Sequence, residues 1–260
     1  MINNAFEIET KLAIIHSEPE GIADQIACER NIGHYILEPE PEQSITDRYF
    51  DTPDYFLRGK GLALRHRLKN EESLVTLKGK SRIQASGAIR RMEIEDHWSE
   101  AALYEILQIL SYTGLDLREK ANTYMENDPF LTFKRLGFIL LQERTTQRQV
   151  RIIKNPQNSR EKAELAIDRA VYQFQNNTLK HYELEIEEKS EDAADMLEQC
   201  IKILHSSYRK ALKSWKINKL ALGLILEKLV QNPEFQKLIQ SDDQISPEGY
   251  RLIEEEARKI

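Results

Sequence analysis

The sequence predicts an α+β fold, an antiparallel meander of strands flanked by amphipathic helices and followed by a helical tail. Three observations carry this expectation. Charge alternates with a two-residue period through several segments, starting with Phe6–Leu12, where Glu7, Glu9 and Lys11 alternate with Phe6, Ile8, Thr10 and Leu12. Successive side chains of a strand point to opposite faces, so this pattern reads as a strand with one charged and one apolar face. Turn residues separate such segments, and apolar stripes at helical spacing stand between and after them.

In chain order, Ser17–Ile36 reads as a helix, with Ser17 as its cap, Pro19 in its first turn and Pro39 and Pro41 beyond its end. Thr46–Asp51 is a strand and Asp51-Thr52-Pro53-Asp54 a turn. Gly61–Lys69 places Arg65 and Arg67 on the face opposite Leu64 and His66. Ser73–Lys80 places Lys78 on one face, and Ala88–His97 groups Arg91, Glu93 and Glu95. Ser99 caps a helix through Leu110 that ends near Gly114. Pro129–Phe133 reads as a short strand. Phe138–Lys154 is a long one carrying Arg144, Arg148 and Arg151. Asn155-Pro156-Gln157-Asn158 turns it into a strand with Glu164 and Asp168 on one face. A turn at Asn176-Asn177 leads to His181–Lys189, where Glu183, Glu185 and Glu187 alternate with Leu184, Ile186 and Glu188. Asp192–His205 and Lys210–Leu229 read as helices, and Pro233 opens a polar, helical appendage. The expected division is residues 1–230 and 231–260.

Composition narrows the function. The 260 residues suit one large domain, or a domain with an appendage, and carry a formal net charge of −6. That balance offers no broad basic field for nucleic acid. Cys28 and Cys200, the two cysteines, are far apart in helical segments, which fits a reducing compartment and a cytoplasmic protein. No basic region followed by an apolar run opens the chain, so no signal peptide is expected. The apolar stretch around 220–226 is too short and charge-flanked to cross a membrane. Gly79-Lys80-Ser81 resembles the end of a phosphate-binding loop, but Leu74 stands where that loop needs glycine.

The charged faces admit two readings: an antiparallel sheet with one wet face, or a closed barrel with a polar interior. The second requires partners for buried charge. Arg65, Arg67, Lys78, Arg91, Arg144 and Arg148 would need a polyanion such as a phosphate chain. Glu7, Glu9, Asp168, Glu183, Glu185 and Glu187 would need a hard divalent cation, for which Mg²⁺ or Mn²⁺ fits.

Glu7-x-Glu9-x-Lys11 resembles the opening signature of the CYTH superfamily, the triphosphate tunnel metalloenzymes. Tyr49-Phe50-Asp51-Thr52-Pro53-Asp54, Leu57-Arg58-Gly59 and Leu64-Arg65-His66-Arg67 resemble its second block. Thr76-Leu77-Lys78, Arg91-Met92-Glu93, Glu164-x-Ala166-x-Asp168 and Glu183-x-Glu185-x-Glu187 follow in order. The resemblance spans roughly Ala5 to Leu222 and is nearest to the bacterial inorganic triphosphatase branch, through YFDTPDYFLRGKGLALRHR.

The resemblance implies an eight-stranded antiparallel β-barrel whose tunnel holds a triphosphate and a divalent metal, Mg²⁺ or Mn²⁺. It implies Glu7, Glu9, Glu185 and Glu187 as metal ligands, the second pair facing the first across the tunnel. Glu183 and Asp168 would be ligands or groups that orient water and take its proton. Lys11, Arg65, Arg67, Lys78, Arg91, Arg144 and Arg148 would contact phosphate, with Glu93 orienting one of these cations. The family's usual Ser-Lys pair in the C-terminal helix is missing, so Lys216 with Lys219, or Lys210, is expected to serve. The implied activity is hydrolysis of inorganic triphosphate to diphosphate and phosphate. A class IV adenylyl cyclase, a triphosphatase acting on ATP or thiamine triphosphate, and a non-enzymatic polyphosphate- or nucleotide-binding module are the alternatives. Tyr49, Phe50, Tyr55 and Phe56 could line a base pocket, though aromatic residues at a turn more often pack locally. The expected partner is a small triphosphate compound, with no nucleic acid and no membrane; a homodimer is one compatible assembly.

Overall fold

The computed structural model describes residues 5–80, 82–83, 88–190 and 193–259, and side chains from Ile8 onward within them. Among the described residues, twelve strands form one sheet: β1 (Ala5–Ile14), β2 (Asn31–Ile32), β3 (Tyr35–Pro39), β4 (Gln43–Asp51), β5 (Ala63–Lys69), β6 (Glu72–Lys78), β7 (Arg82–Ile83), β8 (Ile89–His97), β9 (Ile139–Lys154), β10 (Glu161–Gln173), β11 (Thr178–Glu188) and β12 (Leu212–Ser214). Their hydrogen-bonding order is β10-β11-β1-β8-β6-β5-β4-β9-β3-β2, and β9 also pairs with β10. Eight strands thereby close into an antiparallel barrel, and helices flank them. The charged faces are buried rather than wet: Glu9, Lys11, Arg65, Lys78, Asp168 and Glu183 are all inaccessible or nearly so.

The chain divides into two compact units. One comprises Met1–Glu7, Ile45–Arg82 and Arg90–Glu143. In it α2 (Phe56–Lys60), α3 (Glu100–Tyr112), α4 (Arg118–Tyr124) and α5 (Pro129–Leu136) accompany strands β4, β5, β6 and β8. Leu64, Val75 and Leu77 from the strands pack with Leu103, Ile106, Leu107 and Leu110 of α3 and Phe133 of α5. Ser99 caps α3 as expected, accepting a hydrogen bond from the Ala102 amide at 3.2 Å. Residues 129–133 are helical, not extended. Asp128 accepts the Phe130 amide at 2.9 Å, Pro129 opens the helix, and Gly137 ends it at φ +98°. Cap, proline and terminal glycine together outweigh the short apolar pattern.

The second unit comprises Ile8–Ser44, Ile83–Ile89 and Arg144–Ile260. It holds α1 (Pro19–Cys28), α6 (Ala194–Tyr208), α7 (Lys219–Leu229), α8 (Pro233–Gln236) and α9 (Pro247–Ala257). The stretch expected to be helical up to Ile36 stops at Cys28 and continues as the hairpin of β2 and β3. Gly33 turns that hairpin at φ +60°, and a Cβ there would lie 2.7 Å from Ile203 Cδ1. Leu12, Leu165, Ile167, Leu184 and Ile186 supply the apolar face that α1 and α6 cover. Lys210–Leu229 is likewise not one helix. Leu212, Lys213 and Ser214 pair with β1 as β12, and α7 begins only at Lys219, where Asn218 accepts the Ala221 amide at 2.9 Å. The segment after Pro233 packs on this unit: Phe235, Ile245, Tyr250 and Ile253 share a core with Ala170, Tyr172, Leu179 and Trp215. Among the described residues, no helix is long and apolar enough to cross a membrane.

Candidate functional site

In the second unit, strand register lines up the charged residues of β1, β11, β10 and β9. Glu9 stands beside Glu187, and Glu187 beside Glu164; Lys11 stands beside Glu185. Glu183 stands beside Asp168, and Asp168 beside Arg148. Glu9 and Glu187 are therefore strand neighbours, not a pair facing one another across a tunnel, because β11 returns next to β1 in the sheet. Glu7 lies on β1, and its side chain is outside the described residues.

Ion pairing knits this face together. Lys11 Nζ lies 3.2 Å from Glu9 Oε1 and 2.8 Å from Glu185 Oε1. Arg148 makes two parallel 2.7 Å bonds to Asp168 and a third 2.7 Å bond to Glu185. Lys219 enters from the first turn of α7: its Nζ lies 3.0 Å from Asp168 Oδ2 and also pairs with Glu183 and Glu185. A cation in a first helical turn opposes the helix dipole, and the carboxylates compensate it there. Its position follows from the sequence: β12 pairs with β1, the Trp215 amide bonds the Lys11 carbonyl at 2.9 Å, and Asn218 starts the helix.

The electrostatics follow from burial and pairing. Burial alone would lower the Lys219 ammonium, but Glu183, Glu185 and Asp168 outweigh it and hold its pKa above the usual lysine value. Lys11 is raised in the same way, with Glu185 and Glu9 overcoming burial. Burial would raise Glu183 and Glu185; Lys219 holds the first below the carboxylate range, and Lys11 with Lys219 and Arg148 does so for the second. Pairing thus favours the charged form of Lys11, Lys219, Glu183 and Glu185 over what burial alone would leave.

Asp168, Glu183 and Glu185 each offer an oxygen, and these oxygens lie within 4.8 Å of one another. Three carboxylate oxygens in such a group are the hard donors that Mg²⁺ and Mn²⁺ take. The Lys219 ammonium now sits among them, so a divalent cation held by this group would take its place. The residues present fit a divalent cation. Glu185 belongs to both the expected ligand set and this trio. Glu9 joins it through Lys11, whereas Glu187 pairs with Lys189 at 2.9 Å.

The remaining cations expected from sequence fall in both units. Arg144 is buried in the second, its guanidinium 5.6 Å from the Tyr172 ring centre. Lys216 is exposed, and Lys219 is the lysine of that region that reaches the carboxylates. In the first unit, Arg65 donates to Glu95 at 2.7 Å and to Thr76 at 3.1 Å, and lies 3.5 Å from Glu93. Arg67 donates to both Asp47 oxygens, at 2.7 and 3.0 Å. Lys78 lies 2.7 Å from Glu93, which thus touches two cations, and half-buried Arg91 shares the β8 face with Glu93 and Glu95. Burial would raise Glu95, but Arg65 and Arg67 bring it down to about 2.

Sequence reasoning missed Asp47, Thr76 and Glu95 as partners of these arginines. Strand parity places each of them on a charged face, but their partners follow from register, which sets Asp47 beside Arg67 and Thr76 between Arg65 and Glu95. His66, read as a packed histidine, is buried with Nε2 3.0 Å from Ser73 Oγ. Phe50 packs on Phe133 with ring centres 4.9 Å apart, and Phe56 joins the same core, which fits packing rather than a base pocket.

No match was found among curated protein sequences. Among solved structures, HpAC1 from Hippeastrum, an adenylyl cyclase candidate described as having a dominant triphosphatase activity, is 15% identical, with a TM-score of 0.53 over 84% of this chain and 95% of its own. A Pyrococcus horikoshii protein is 19% identical, with a TM-score of 0.47 over 85% of this chain and 99% of its own. An adenylate cyclase candidate from Bacillus halodurans is 18% identical, with a TM-score of 0.44 over 83% and 96%. The sequence description of the CYTH domain matches residues 5–216, from the start of β1 through β12. The chain belongs to the CYTH domain family.

Proposed function

We propose that this protein is a divalent-metal-dependent triphosphatase that hydrolyses inorganic triphosphate to diphosphate and phosphate, within the bacterial inorganic triphosphatase branch of the family. The observation that carries this reading is the buried trio Asp168, Glu183 and Glu185, whose oxygens gather around the Lys219 ammonium. Metal-assisted phosphoanhydride hydrolysis uses hard carboxylate donors gathered in this way. The dominant triphosphatase activity described for HpAC1 is in keeping with hydrolysis.

In this reading Asp168, Glu183 and Glu185 hold Mg²⁺ or Mn²⁺, with Glu7, Glu9 and Glu187 as further candidate ligands. The bound cation supplies charge withdrawal from phosphate and a lower pKa for water. Lys11, Arg65, Arg67, Lys78, Arg91, Arg144, Arg148 and Lys219 position phosphate oxygens and neutralise charge on the leaving diphosphate. Glu93 orients Lys78 and Arg65. Asp168 and Glu183 orient the attacking water; the lowered pKa of Glu183 suits a group that keeps its negative charge better than one that stores a proton. Residues 1–230 form the catalytic domain, 231–260 its helical appendage, and the proposed location is the cytoplasm.

The test is a substrate panel of tripolyphosphate, ATP and thiamine triphosphate. The reading expects the highest kcat/KM for tripolyphosphate; a preference for either organic triphosphate, or conversion of ATP to a cyclic nucleotide, contradicts it.

A further inference from the structure

His181 stands two residues before Glu183 on β11, so the two side chains share a face. His181 is fully buried. Its Nε2 lies 3.3 Å from Glu183 Oε2, and its Nδ1 lies 3.0 Å from the hydroxyl of Tyr250. Tyr250 belongs to α9, beyond the residues matched by the family. It is buried, and its ring meets His181 and Trp215 at centre distances of 5.7 and 5.8 Å; the His181 and Trp215 rings are 5.6 Å apart. The segment is tied to the sheet beside this contact. The Lys180 amide donates to the Asp243 carbonyl at 2.8 Å, and Lys213 of β12 donates to Glu254 of α9 at 2.7 Å.

The direction of these hydrogen bonds follows from what each group can do. An ionised Glu183 only accepts, so His181 Nε2 carries the proton that faces it. In a neutral ring Nδ1 is then an acceptor, and the Tyr250 hydroxyl is its donor. The other Glu183 oxygen pairs with Lys219. One carboxylate is thus held at both ends, by a lysine inside the trio and by a histidine backed by a tyrosine.

We propose that Tyr250 is a positioning residue which, through His181, fixes the Glu183 carboxylate in the trio, so that the segment after Pro233 is a working part of the site. The inference rests on reading the trio as a divalent-cation site. A carboxylate released on one side rotates away from its two companions, and the oxygen geometry a hard cation requires is lost.

The experiment is Mn²⁺ titration calorimetry on the full chain, wild type against Tyr250→Phe, with thermal melts and nitrogen NMR of the His181 ring. Tyr250→Phe keeps the aromatic packing and removes one hydroxyl. The expected result is Mn²⁺ binding about tenfold weaker in the variant, the range found when hydrogen-bond partners behind metal ligands are removed. The wild-type ring is expected to carry its proton on Nε2. Unchanged Mn²⁺ affinity in a folded Tyr250→Phe protein overturns the proposal. If the variant does not fold, the wild-type ring decides: a ring with its proton on Nδ1 and none on Nε2, or a proton on both nitrogens, overturns the proposal, because Nε2 then has nothing to donate to Glu183 or Nδ1 cannot accept from Tyr250. Failure of the proposed function is separate. A wild type that binds Mn²⁺, weakens on Tyr250→Phe and hydrolyses no triphosphate keeps this inference and loses the activity; a wild type that binds no Mn²⁺ overturns both.

Discussion

The Lys219 ammonium lies 3.0 Å from Asp168 Oδ2 and pairs at the same time with Glu183 and Glu185. A lysine side chain therefore holds together the three carboxylates that would otherwise repel one another. Removing it, as in Lys219→Met, leaves buried negative charge and should destabilise the metal-free protein by about 3 kcal/mol. A divalent cation can replace the lost charge. Mn²⁺ is thus expected to raise the melting temperature of Lys219→Met more than that of the wild type. Melts in EDTA and in Mn²⁺ check this; equal stabilisation of both proteins contradicts it.

Arg65 lies on the other charged face, beside Glu93 and Glu95. Arg65→Lys keeps a charge but loses the guanidinium fork that bonds Thr76 and Glu95 together. Hydrolysis of tripolyphosphate is expected to fall at least about tenfold, since one good charge-assisted contact contributes roughly 1.5–3 kcal/mol. Steady-state kinetics with circular dichroism as a folding control tests it, and wild-type kcat/KM in a folded Arg65→Lys contradicts the phosphate role.

Acid should destabilise the fold in two steps. Burial first, then Arg48, lowers His66 from 6.5 to about 4, so the folded ring stays neutral where the unfolded one takes a proton. The unfolded state then binds more protons, and stability contributed by His66 is lost as pH falls from 6.5 to about 4. Glu95 has a lowered folded pKa, so its contribution is present above 4.5 and is lost as pH falls from 4.5 towards about 2. Urea denaturation at stepped pH should show both losses. His66→Gln should flatten the upper step and Glu95→Gln the lower; an unaltered profile in either variant contradicts its assignment.

Asp51 tests a purely structural role. Its Oδ1 accepts the amides of Thr52 and Leu57, each at 2.8 Å, and its Oδ2 that of Arg58 at 3.0 Å. The buried carboxylate thus serves the free amides at the start of α2. Asp51→Ala should lower stability by about 2 kcal/mol. Chemical denaturation measures this, and Asp51→Asn, which keeps one acceptor oxygen, should lose less.

Much of the barrel is written in two-residue alternation. Lys11, Arg65, Arg67 and Glu183 could be assigned to charged faces because strand parity is a local property. The turns at 155–158 and 176–177 were legible for the same reason: β9 ends at Lys154 and β10 begins at Glu161, and Phe174 bonds Asn177 across the next turn. Pairing between strands is not local. Nothing in Glu9 or Glu187 tells that they are neighbours rather than opposites, since that depends on which strand β11 returns beside. Lys219 could be offered only as one of several lysines, because its reach depends on a three-residue strand, β12, hidden in a helical pattern. Tyr250 was out of reach altogether. It comes to His181 across 69 residues, through packing of an amphipathic helix whose sequence reads as a solvated appendage.

Phosphate release from tripolyphosphate, measured with Mg²⁺, with Mn²⁺ and with EDTA in wild type and Glu185→Gln, tests the central claim most directly. The account expects turnover with a divalent metal, none in EDTA, and loss of that turnover when the Glu185 carboxylate is replaced. Equal phosphate release in EDTA, or wild-type activity in Glu185→Gln, would contradict it.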